Sequence, residues 1–155
     1  MKKFLFLLPL LGLSTAGVFA QDQTTLRKKQ FNLDDGIGAG GYDPVAYFTQ
    51  GKAVKGSKDN AVAVEGVTYY FSSAADKDAF KKDPAKYEPA YGGWCAYAMG
   101  AKGEKVPVDP RTFKITGGRL FLFYNRFFNN TLPEWNKDEA HLEKNADANW
   151  QKTFH

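Results

Sequence analysis

The chain has 155 residues, 43% hydrophobic and 15% aromatic, with 21 Lys and Arg against 17 Asp and Glu for a formal net charge of +4. That length suits one globular domain. The lysines are interspersed with acids, as in Lys77-Asp78 and Lys81-Lys82-Asp83, and the absence of a basic stripe argues against nucleic acid as a partner.

The first twenty residues read as an export signal. Met1-Lys2-Lys3 gives a positive start, Phe4 to Leu13 an apolar run, and Val18-Phe19-Ala20 the small-x-Ala ending that a signal peptidase cuts, placing cleavage before Gln21. A periplasmic or secreted protein is expected. The apolar run is too short for a bilayer of about 30 Å, and no later stretch is long enough, so no membrane span is expected.

Residues 21–40 read as a flexible lead-in, polar at first and then Gly-rich from Asp34 to Gly41, with the domain proper over 41–155. Gly36-x-Gly38-x-x-Gly41 has the spacing of a dinucleotide fingerprint. No strand pattern precedes it, and Tyr42-Asp43-Pro44 follows where the helix should start, so the match carries no phosphate-binding prediction.

Val45 to Phe48 predicts a short strand, and Ala61 to Phe71 two strands joined at Glu65-Gly66. Ser73 with Asp76 three residues on predicts a helix start, and Asp83-Pro84 a stop. Trp94 to Met99 reads as a helical turn ended by Gly100. Thr112–Thr116 and Arg119–Tyr124 flank Gly117-Gly118 as a second hairpin, and Thr131-Leu132-Pro133-Glu134 is a capping-box pattern. Leu142, Ala146 and Trp150 recur every four residues on one face of a C-terminal helix. The expected fold is a small single α+β domain with two β-hairpins, short helices and a C-terminal helix, with no internal repeat and no dividing linker visible.

The only cysteine, Cys95, has no partner for an internal disulfide, and an exported thiol must be protected or used. A helix over Trp94–Met99 would put Cys95 and Met99 at i and i+4, a soft thiolate–thioether pair suited to Cu(I), with His141 or Tyr97 as a third donor. Unpaired Cys and Met are also common core residues, so simple packing is the competing explanation. Tyr42, Asp43, Tyr91, Trp94 and Tyr97 are the candidate pocket residues around the thiol. Asp43 and Asp109 each precede proline and read first as turn caps. No pattern marks an enzyme: a cysteine nucleophile needs a base, and the sequence gives neither His141 nor His155 a visible orienting partner.

Several strings in order resemble the YHS-domain family: Gly41-Tyr42-Asp43-Pro44-Val45-Ala46-Tyr47-Phe48, the hairpin Glu65 to Ser73, Asp83-Pro84-Ala85-Lys86-Tyr87 and Tyr91-Gly92-Gly93-Trp94-Cys95-Ala96. The resemblance covers nearly all of the chain after the signal. It implies a small metal-binding module, yet Ala46, Ser72 and Asp76 stand where that family's ligand cysteines fall. Structural zinc wants four thiolate or imidazole ligands, which these residues do not give. The expectation is therefore an exported binding module that handles a transition metal, copper first, through a soft site at Cys95. The alternative is a metal-free structural or interaction domain with a buried cysteine.

Overall fold

The computed structural model describes residues 16–154. The expected signal segment falls largely outside them. Among the described residues no helix is long and apolar enough to cross a membrane. The architecture is α+β, with seven α-helices, two large antiparallel hairpins and one small one among the described residues.

The first hairpin pairs β1 (Ser57–Val64) with β2 (Val67–Phe71), turning at Glu65-Gly66 as expected. Val67, Tyr69 and Phe71 alternate inward with the period of a strand and pack on Val45 and Phe80. Phe80 comes from α3 (Ala74–Lys82), which starts where Ser73 Oγ accepts the Asp76 N–H at 3.1 Å. Asp83 ends α3, and Pro84 opens the short α4 (Pro84–Tyr87). The second hairpin pairs β3 (Asp109–Thr116) with β4 (Arg119–Phe123). Leu120 to Phe123 are all fully buried because β4 lies between two layers of side chains. After a third, short hairpin, α6 (Leu132–Lys137) brings Trp135 onto Phe121 and Phe123, at ring separations of 5.3 and 5.6 Å. In α7 (Glu139–Gln151), Leu142, Ala146 and Trp150 face the same cluster, as their spacing predicts.

The two large hairpins belong to a structural repeat that the sequence did not disclose. Features of the first half recur 52 residues later: the 3₁₀ turns begin at 38 and 90, the first strands at 57 and 109, the second strands at 67 and 119. Each 3₁₀ turn has positive φ at its second and third residues. The same parallel bridge links Ile37 to Thr68 and Pro89 to Leu120. The irregularity in pairing falls after Ser57 in one hairpin and after Asp109 in the other. Asp43 N donates to Val54 O at 2.8 Å, and Cys95 N to Val106 O at 3.0 Å. The ring covering the hairpin is Phe80 in one unit and Trp135 in the other, 55 residues apart, so the second unit carries three more residues (55 against 52) between hairpin and ring. The repeat was hidden because its positions share backbone shape and apolar character more than residue identity.

Two local expectations change. Val45–Phe48 is not a strand: Asp43 Oδ1 accepts the N–H groups of Val45 and Ala46, at 2.9 and 3.2 Å, and α2 (Ala46–Gln50) follows. A side-chain acceptor on the first free amides favours helix over an extended chain. The stretch expected as a flexible lead-in is also built into the fold. Its helix α1 (Ala16–Gln30) is tied to the second half by an Arg27–Glu88 ion pair and by Trp94 Nε1 donating to Gln30 O at 2.7 Å. Phe31 then packs on Trp150, and Asn32 N donates to Gly92 O at 2.9 Å.

Candidate functional site

Cys95 ends the chain's approach to α5 (Ala96–Lys102) and occupies its N-cap, with a non-helical backbone (φ −57°, ψ 116°). Two residues share a helix stripe at i and i+4 only when both are helical. The expected pairing with Met99 therefore does not form. Cys95 is fully buried with Tyr47, Leu120 and Leu122 on one face of β4. Met99 packs with Phe121, Phe123 and Trp135 on the other. Successive residues of a strand point to opposite faces, so β4 separates the two sulfur-bearing side chains. Met99 belongs to the packing between α5 and α7, which approach so closely that a Cβ on Gly100 would lie 2.4 Å from Leu142 O.

The Cys95 sulfur is already engaged. Tyr124 N donates to Sγ at 3.3 Å, and Sγ lies 3.4 Å from Thr131 Oγ1. Thr131 Oγ1 donates to Tyr124 O at 3.1 Å, which commits its only proton and leaves the thiol to donate to Oγ1. These bonds tie the start of α5, the end of β4 and the start of α6 together. Thr131 was expected to cap α6 through its side chain; its hydroxyl turns inward to Tyr124 instead.

Asp43 does the same work in the first unit. It is fully buried, and its Oδ2 accepts Ser72 N at 2.7 Å, 52 residues before the Tyr124 N to Cys95 Sγ bond. Ser72 Oγ lies 2.7 Å from Asp43 Oδ2 and 3.3 Å from Asp76 Oδ2. Partial burial, then the adjacent Asp43, raise the Asp76 carboxyl above its ordinary range against the pull of Ser73 and Ser72.

A cavity of about 250 Å³ opens beside the thiol. Tyr97, Ala98, Ala101, Val106 and Tyr124 give it apolar walls, Cys95 and Thr131 line it, and Lys102, Glu104 and Asn129 add polar groups. Tyr97 alone of the other pocket candidates reaches it. Tyr42 lines a different cleft, with the Lys55 ammonium 4.3 Å from its ring centroid. Tyr91 lines a third beside Arg119, its hydroxyl donating to Asp147 Oδ1 at 2.9 Å, and burial first, with Asp147 and against the pull of Arg119, pushes the hydroxyl pKa up. Trp94 holds α1 through its indole N–H. His141 is exposed on α7, with Nδ1 3.1 Å from Asp138 Oδ2. Among the described residues no three His, Cys, Asp or Glu side chains are grouped to hold a metal ion.

Tyr124, Asn129 and Thr131 were not foreseen as cavity residues. Only the helix-start pattern at Thr131 gave any signal there, and it pointed to a cap. No family model, curated protein or solved structure matches the chain.

Proposed function

We propose that the protein is an exported, metal-free binding module of the YHS type, with Cys95 as a structural anchor and the adjacent cavity as the seat for a small ligand. The observation that carries this reading is the correspondence of Cys95 with Asp43: each is a fully buried side chain that accepts the N–H of the residue following its hairpin. The walls of the cavity suit a small molecule with an apolar body, and Lys102, Glu104 and Asn129 offer polar contacts at its edge.

The experiment is alkylation of the native protein by iodoacetamide, followed by mass, beside the same protein unfolded in urea. The anchor reading predicts native alkylation at least about a hundredfold slower, because the thiol reacts only when the fold opens. Fast native alkylation would contradict it.

A second reading, soft-metal handling at Cys95, draws support from the sulfur's place in the cavity lining. Copper would have to displace the Tyr124 and Thr131 contacts and find its other donors away from Met99.

A further inference from the structure

We infer that the tip of the third hairpin, Phe127-Phe128, is a lipid-surface anchor that seats the protein peripherally on an anionic bilayer. This stands independently of the reading of Cys95. The hairpin pairs β5 (Asn125–Arg126) with β6 (Asn129–Asn130), so Phe127 and Phe128 form its two-residue turn. Their relative exposures are 88% and 111%, whereas the other aromatic rings between Phe31 and Trp150 are buried or partly covered. Both have positive φ, 51° and 64°. A two-residue turn with positive φ at both positions favours Asn-Gly, and this chain places asparagines at 125, 129 and 130 while keeping phenylalanine at the two strained sites.

The first structural unit has no counterpart. There, Ser72 and Ser73 lead straight from β2 into α3, whereas the second unit interposes this hairpin between Tyr124 and α6. The tip is therefore an addition to a unit that closes without it. It also borders the cavity, through Asn129.

Size and chemistry choose the occupant. Two phenylalanines present on the order of 400 Å² of apolar surface. A stable protein interface needs about 800 Å² from each side, and a convex two-residue tip gives far less. Insertion into the boundary between headgroups and acyl chains needs only an apolar wedge with a polar collar. Asn125, Arg126, Asn129 and Asn130 supply the collar. Arg126, which also donates to Val108 O at 3.4 Å and faces Asp109, is the cation of the tip for anionic headgroups, whereas Lys102 across the cavity is set against Glu104 in the same lining.

The test is flotation of the purified protein with vesicles of phosphatidylcholine, alone or mixed with phosphatidylglycerol. Wild type is compared with the double variant Phe127→Asn/Phe128→Gly on the same N-terminus, so that any lipid affinity of residues 1–20 cancels. The double variant carries the residues its turn prefers, and an unchanged far-ultraviolet circular dichroism spectrum is the check that it folds. The inference predicts that it partitions onto the mixed vesicles about tenfold or more weakly than wild type, and that Arg126→Gln weakens binding to mixed vesicles only. Equal flotation of the two proteins would overturn it. So would an absence of tip-dependent flotation accompanied by self-association, in sedimentation velocity, that the double variant loses: the tip would then dock on a second copy.

Discussion

Asp43 and Cys95 occupy the same place in two successive structural units, each accepting the backbone N–H that follows its hairpin, from Ser72 in one and Tyr124 in the other. The two anchors differ in how much they hold. Asp43 also accepts the N–H groups that begin α2, while Cys95 connects α5 to β4 and, through Thr131, to α6.

That difference orders two substitutions. Cys95→Ala leaves the Tyr124 N–H without its acceptor and should cost about 1–3 kcal/mol. Asp43→Ala strands three backbone N–H groups, those of Val45, Ala46 and Ser72, and should cost about 3 kcal/mol or more, while the Ser72 hydroxyl keeps Asp76 as an acceptor. Cys95→Ser keeps a donor and an acceptor and should lose less than Cys95→Ala. Urea unfolding of the three variants gives the order, and Cys95→Ala as costly as Asp43→Ala would contradict it.

Asp76 gives the fold a pH dependence of definite sign. Its carboxyl is held above the ordinary value by partial burial first and by Asp43 second. A carboxyl raised on folding stabilises the fold most when protonated, and that contribution is lost as pH rises through the folded value. Relative to Asp76→Asn, wild type should therefore lose stability as pH rises from about 4 through the raised pKa. Denaturation midpoints across that window would show parallel curves if the account were wrong.

The turn at Phe127-Phe128 should be a site where substitution stabilises. Left-handed backbone costs a side chain with a Cβ about 1–2 kcal/mol per residue, a strain that Asn tolerates and Gly avoids. Phe127→Asn/Phe128→Gly should raise stability by about 1 kcal/mol or more, read as a higher thermal midpoint.

Gly100 tests the contact between α5 and α7. Alanine is the better helix former by about 1 kcal/mol. Here its Cβ would meet Leu142 O at 2.4 Å and Leu142 C at 3.0 Å, both main-chain atoms with little room to yield. Gly100→Ala should destabilise by about 2 kcal/mol despite the propensity gain, whereas Gly117→Ala, with open space around it, should cost only its positive φ.

The hairpins, the cap of α3 and the buried face of α7 were legible because each rests on a local rule: strand alternation with turn residues at Glu65-Gly66 and Gly117-Gly118, a hydroxyl at Ser73, apolar residues every four positions. What the sequence concealed depends on distant partners. The order of α1 comes from Glu88 and Trp94, far along the chain, which a polar composition does not announce. The separation of Cys95 from Met99 depends on one backbone conformation at residue 95 and on β4, a strand about twenty residues further along the chain. The 52-residue repeat was illegible because Asp43 and Cys95 do equivalent work with unlike side chains.

A competitive Cu(I) titration of the reduced protein, alongside Cys95→Ser and Met99→Leu, tests the central claim most directly. The account predicts no stoichiometric copper binding above that of Cys95→Ser, and no effect of Met99→Leu. Tight one-to-one binding lost in both variants would contradict it, because it would require the two sulfurs that β4 separates to meet on one ion.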